Sequence, residues 1–280
     1  MLIFNSPAEL TGHLHSTNKG SIGFVPTMGA LHDGHLSLLK ASLAQNGQTV
    51  ISIFVNPTQF NNAEDLAHYP RTLEADIEKI SKVDKNIIVF APSVTDMYGT
   101  AAKADTYRFG GLENEMEGRF RKGHFDGVAT IVKRLFEIVR PDRAYFGEKD
   151  FQQLQIVRSL VARYKLPVEI VGCPIFREPG GLAMSSRNER LSALERQQAS
   201  VIYAALQMAR KNFGNQSTQK IRTAVEQMIS AIPGFTLEYF EVADEKTLRP
   251  VQRKSKKKKY RAFIAVLVNK IRLIDTIALN

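Results

Sequence analysis

Cysteine is nearly absent from this chain of 280 residues: Cys173 stands alone, which excludes an intramolecular disulfide and any zinc site built on several cysteines. Long apolar runs are absent too. No stretch approaches the roughly 18–20 residues that a membrane-spanning helix needs. The first twenty residues carry Glu9 and two histidines around no apolar core, so a secretory leader is not expected and a cytoplasmic protein is. Acidic residues are few in one place above all. Between Arg253 and Arg261 lie seven basic side chains and no acidic one. Subtracting those seven from the formal charge of +10 leaves +3, an ordinary balance. The basicity is local, and a nucleic-acid partner is not expected from it.

What is present reads as an α/β protein. Hydrophobic residues make up 44% and charged residues 24%, a globular composition. Ser21 to Thr27 reads as a buried strand, followed by Leu36, Leu39 and Leu43 at helical spacing. Strands are expected at 49–55, 86–90, 143–146 and 167–171, with helices at 71–81, 124–139 and 154–164 between them. Such alternation implies a parallel sheet covered on both faces. After Cys173-Pro174 the pattern changes. Ser192-Ala-Leu-Glu195 is a capping box that should open a helix running to about Asn212, and a second helix covers 218–229. Strands at 236–242, 260–268 and 271–279 then suggest a smaller α+β domain. The boundary is set at 175/176, giving domains 1–175 and 176–280.

The densest chemical signal is Pro26-Thr-Met-Gly-Ala-Leu-His32-Asp-Gly-His35, which joins the first strand to the first helix. There an α/β sheet presents its strand ends to a ligand, and helix N–H groups suit phosphate. His32 and His35, three apart, project from one side of a turn and could stabilise charge growing on a phosphate. A capped turn with two surface histidines is the plain alternative. Gly147-Glu148-Lys149-Asp150 is a second strand-to-helix junction, where Lys149 could meet phosphates; taken alone it is only a charged helix start. Gln153, and Gln59 after the second strand, offer amides to a hydroxyl and carboxylate substrate, though either alone reads as a surface residue. Met184-Ser185-Ser186-Arg187 lies in a flexible Gly-rich stretch, where two hydroxyls and a guanidinium suit a triphosphate but a solvated linker has the same composition. Asp76 reads by default as an exposed helix carboxylate. Cys173 falls in an apolar run and reads as a buried, inert thiol.

H-x-G-H in this setting resembles the nucleotidyltransferase superfamily, and PTMGALHDGH resembles the pantoate–β-alanine ligase family within it. FVNPTQF (54–60), GEKDFQQ (147–153) and LAMSSRN (182–188) match that family in order, as do Tyr69-Pro-Arg-Thr72 and His124-Phe-Asp-Gly127. Gly180 and Arg190 depart from its common pattern, and the lysine run is unusual for it. The resemblance implies a Rossmann-like first domain and a homodimer. It implies ATP as substrate with Mg²⁺ carried on it, and pantoate and β-alanine as the other small-molecule substrates. His35, His32 and Lys149 would be catalytic. ATP would be met by Met28, Gly29, Ala30, Leu31, His32, Asp33, Gly34 and His35, by Gly147, Glu148, Lys149 and Asp150, and by Phe176, Met184, Ser185, Ser186 and Arg187. Gln59 and Gln153 would hold pantoate and β-alanine, and no dedicated metal ligands are expected. A different nucleotidyltransferase would keep the histidines without both glutamines in register. A nucleic-acid-binding protein would account for the lysine run and leave the four motifs idle.

Overall fold

The computed structural model describes residues 1–17, 20–251 and 253–280. Its residues fall into two compact units. The first comprises 1–113, 117–147 and 153–173; the second comprises 114–116, 148–152 and 174–280.

The first unit is a parallel sheet of β1 (Ile3–Phe4), β2 (Ile22–Thr27), β3 (Gln48–Ile53), β4 (Ile88–Phe90), β5 (Arg143–Gly147) and β6 (Glu169–Cys173), in the order β1-β4-β3-β2-β5-β6. Helices α1 (Pro7–Thr17), α2 (Asp33–Leu43), α3 (Leu73–Val83), α4 (His124–Val139) and α5 (Phe151–Tyr164) connect the strands. The parallel sheet expected from alternation is present, and it is Rossmann-like, as the resemblance implies. Neither β1 nor α1 stands among the sequence expectations: a two-residue strand is too short to show a period, and α1 buries only Leu10 and Leu14. Strand alternation sorts the core. Val25, Ile51, Val89, Tyr145 and Cys173 share one cluster with Leu38, Leu39 and Ile80 of the helices. Phe24, on the opposite face, meets Phe136 of α4 edge-on at 6.3 Å.

Strand order reverses at β2, with β3 on one side and β5 on the other. The ladder to β3 runs six residues, from Ile22↔Gln48 to Thr27↔Ile53, whereas the ladder to β5 holds only Gly23↔Arg143 and Phe24↔Ala144. The Ile22 carbonyl accepts from Asp142 N on the β5 side, and the Thr27 carbonyl accepts from Phe54 N on the β3 side. By that alternation Pro26 faces β5, where its missing N–H removes the next rung. The two strands therefore part at their C-terminal ends, which is where open α/β sheets bind ligands.

In the second unit, α6 (Ala193–Gln198), α7 (Ser200–Asn212) and α8 (Thr218–Ser230) lie with an antiparallel sheet of β7 (Phe235–Asp244), β8 (Tyr260–Val268) and β9 (Ile271–Ala278). The Ser192–Glu195 capping box is formed. The single helix expected from Ser192 to Asn212 is instead two that meet at Ala199, where Ile202 N reaches back three residues to the Ala199 carbonyl and Ser200 Oγ donates to the Gln197 carbonyl at 2.7 Å. Tyr260, Ala262, Ile264, Val266 and Val268 of β8 join the helices' apolar core. The opposite face carries Arg261 and Phe263.

Candidate active site

The turn after β2 is shaped before any ligand is considered. Gly29 (φ 83°) and Ala30 (φ 50°) are both left-handed, and a Cβ on Gly29 would stand 3.0 Å from Ile53 Cγ2 and 3.1 Å from Asp76 Oδ2. Any side chain at Gly29 would be both strained and crowded. Asp76 of α3 is fully buried and accepts from Ala30 N at 2.9 Å and Leu31 N at 2.7 Å. The reading of Asp76 as an exposed helix carboxylate is thus corrected: it supplies the acceptor that two backbone N–H groups of a tight turn need. Lys79, one turn further along α3, donates to the Leu31 carbonyl at 2.6 Å. The signal was available in principle, since an Asp with a Lys three residues on points one helix face at a single place.

His32 is the N-cap of α2 and His35 its third residue. Their rings lie 4.0 Å apart, centroid to centroid, and both side chains are half-buried. His35 Nδ1 accepts from the His32 backbone N–H at 3.3 Å. That bond requires Nδ1 to be unprotonated, so the neutral ring carries its proton on Nε2, as a donor.

Gln59 is buried, not a surface residue. It closes a short turn, Pro57–Gln59, against the start of α4. Asn56 Nδ2 donates to Gln59 Oε1 at 3.1 Å and to the Gly127 carbonyl at 3.1 Å, and His124 Nδ1 meets the Gln59 carbonyl at 2.8 Å. A Cβ at Gly127 would fall 2.3 Å from the Thr58 carbonyl oxygen, which explains glycine in that helix turn. So fixed, Gln59 points Nε2 at Met28 Sδ, 3.0 Å away. The fold thereby brings Gln59 to the turn that bears the two histidines. Gln153 stands half-buried in the first turn of α5, the helix that follows β5.

In the second unit, Glu148–Asp150 form one turn of 3-10 helix, with Lys149 Nζ 3.7 Å from Asp150 Oδ1. The stretch 177–188, expected as a flexible Gly-rich loop with a solvated linker as the plain alternative, is a folded loop. Arg177 and Ala183 form a β-bridge, and Glu178 N donates to the Leu182 carbonyl at 2.9 Å. Arg177 forks onto Asp275 of β9, at 2.6 and 3.0 Å, with its guanidinium 3.8 Å over the Tyr203 ring. Burial pushes the Asp275 carboxyl up from the usual range, and the hydrogen bonds and charge of Arg177 oppose that. Glu178 receives a second fork from Arg196 at 2.9 and 3.0 Å, and Asn188 Nδ2 ties Glu178 Oε1 (2.8 Å) to the Ala183 carbonyl (3.1 Å). Ser185 Oγ caps the following turn by accepting from Arg187 N at 3.2 Å. Composition could not distinguish this loop from a linker, because its partners Asp275, Arg196 and Tyr203 are remote in sequence. Phe176, just before it, is exposed.

A family model described as Pantoate-beta-alanine ligase matches residues 2–278. The chain belongs to that family. It is 56% identical over 282 residues to a pantothenate synthetase of Flavobacterium psychrophilum, covering all of both chains. It is 49% identical to one of Bacteroides thetaiotaomicron, covering 96% of this chain and 94% of that one. Among solved structures it is similar to pantothenate synthetase from Thermus thermophilus, with TM-score 0.92 and 40% identity over 100% of this chain and 99% of that one. It is also similar to pantoate–β-alanine ligase from Francisella tularensis complexed with β,γ-ATP and β-alanine, with TM-score 0.83 and 34% identity over 100% and 98%. Both family and fold expected from the motifs are met. No helix among the described residues is long and apolar enough to cross a membrane.

Proposed function

We propose that this pantoate–β-alanine ligase joins pantoate to β-alanine in two steps, with ATP consumed as substrate and Mg²⁺ carried on its phosphates. A pantoate carboxylate oxygen attacks the α-phosphorus, and pyrophosphate leaves. The β-alanine amine then attacks the acyl carbon of the pantoyl adenylate, loses a proton, and displaces AMP. Activation is required because a free carboxylate has no competent leaving group.

The observation that carries this reading is the paired His32 and His35 at the parted ends of β2 and β5, with a donor N–H on His35 Nε2. Preorganised donors there favour charge building on the α-phosphate. His32, His35 and Lys149 are the catalytic groups. Nucleotide contacts come from residues 28–35, from Gly147 to Asp150, and from Phe176, Met184, Ser185, Ser186 and Arg187. In the first of these turns the Ala30 and Leu31 N–H groups are already spent on Asp76, so side chains and later N–H groups serve the phosphates. Gln59 and Gln153 hold pantoate and β-alanine. Catalysis rests on positioning and charge, since Cys173 is buried in the core and offers no accessible nucleophile. The protein works as a cytoplasmic homodimer.

Mass spectrometry of products from ATP, pantoate and β-alanine, each omitted in turn, tests the proposal. Pantothenate should need all three, and pyrophosphate should form without β-alanine. Pantothenate formed without ATP would overturn it.

A further inference from the structure

Arg261 is the last of the seven basic residues counted from Arg253, and the fold separates it from the rest. Lys256 to Lys259 are exposed, whereas the Arg261 side chain is only 7% exposed. Its register explains the difference. At the start of β8 it pairs with Ala243 and Ala278, on the strand face opposite the apolar helical core. From there the guanidinium reaches the 148–151 turn. Nη2 donates to Glu148 Oε2 at 3.1 Å, Nε donates to Glu245 Oε1 at 3.0 Å, and the group lies 4.0 Å over the Phe151 ring. Phe263, two residues along the same face, packs its ring 6.0 Å from that of Phe151.

We propose that Arg261 is a positioning residue for Lys149. The guanidinium grips the residue immediately before Lys149 and the second residue after it, so both ends of a one-turn helix are fixed on β8. Lysine is a point charge on a flexible stem, and where its ammonium can reach depends on where its backbone is held. Stability alone would be served as well by an apolar side chain against Phe151 and Phe263, because a buried ion pair seldom outdoes well-packed hydrophobic residues. What the arginine adds is direction: a fork joins the Glu148 carboxylate, a second carboxylate and a ring face at one angle. In this arrangement Glu148 serves the nucleotide through its backbone, its carboxylate being engaged by Arg261. The inference rests on the role proposed above for Lys149.

The test is a double-mutant cycle read by MgATP binding in calorimetry, beside kcat and thermal melting. Arg261→Met should raise the Kd for MgATP at least fivefold and lower kcat at least tenfold. When Lys149→Ala is already present, Arg261→Met should change that Kd less than twofold. Arg261→Lys keeps a cation beside the two partly exposed carboxylates and so keeps the fold if the methionine variant is lost; it should give the same pattern at smaller size. Equal, independent losses from Arg261→Met or Arg261→Lys in both backgrounds would overturn the inference while leaving Lys149 in place. Near-normal binding and turnover in Lys149→Ala would overturn the role of Lys149, and this inference with it.

Discussion

The turn after β2 and the two segments that follow β5 and β6 are held by different chemistry. The Met28–His32 turn is pinned by a carboxylate on backbone N–H groups, Asp76 accepting from Ala30 and Leu31. The Glu148–Asp150 turn and the 177–188 loop are pinned by arginines on carboxylates, Arg261 on Glu148, Arg177 on Asp275 and Arg196 on Glu178. A carboxylate that serves main-chain donors has no substitute partner, because the donors cannot be mutated away. An ion pair can be removed as a pair. The first device is therefore the more brittle, and the second the more exchangeable.

Asp76→Ala should have the largest effect. Two N–H groups lose their acceptor at about 1–3 kcal/mol each, and thermal melting should show it together with lost turnover. Asp76→Asn, which keeps one acceptor oxygen, should recover part of both; an alanine variant as stable as the parent would break the comparison. Arg177→Met should cost about 3–5 kcal/mol by leaving Asp275 buried without its partner. The double variant Arg177→Met with Asp275→Leu should restore most of that stability in denaturant titration. If it does not, the pairs are no more exchangeable than the Asp76 turn.

His35→Ala sharpens the catalytic side of the contrast. Loss of one transition-state donor should lower kcat by about 10²–10³-fold, or ~2.7–4 kcal/mol, with the melting temperature little changed. Near-normal turnover would remove His35 from the mechanism. For Gln59→Ala a rise of about tenfold in the KM for pantoate is expected, equivalent to ~1.4 kcal/mol, with little change for ATP. Equal changes for both substrates would move the pantoate site elsewhere.

The smallest effect belongs to the lysine run. Read from sequence alone, a block of like charges should form an exposed, mobile hairpin tip between the final strands. In the fold it lies between β7 and β8, and two of its lysines are engaged. Lys254 reaches the carbonyls of Phe213 and Gln216 beyond the end of α7 and lies 4.4 Å over the Phe213 ring, and burial lowers its pKa. Lys258 pairs with Asp244 at 3.2 Å. Replacing Lys256 to Lys259 with serine should leave kcat unchanged and cost under about 1 kcal/mol of stability, since exposed pairs contribute little. A collapse of turnover at saturating ATP would make the run part of the site.

Local chemistry by itself determined much of this protein. Apolar periods located most of the longer helices and strands, Pro and Gly set the β2 turn, and S-x-x-E opened α6, because each of these is a property of neighbours along the chain. The ordered motifs likewise picked out the family and the two histidines. Partners distant in sequence were decided only by the tertiary structure. Asp76 looks like any helix carboxylate until α3 lies against residue 30, and Gln59 like any surface amide until α4 closes over it. Arg261 looks like one more member of a basic run until β8 carries it to Glu148, 113 positions earlier in the chain. Burial and a partner's direction are properties of the folded sheet register, and a one-residue shift in β8 would turn Arg261 to the opposite face.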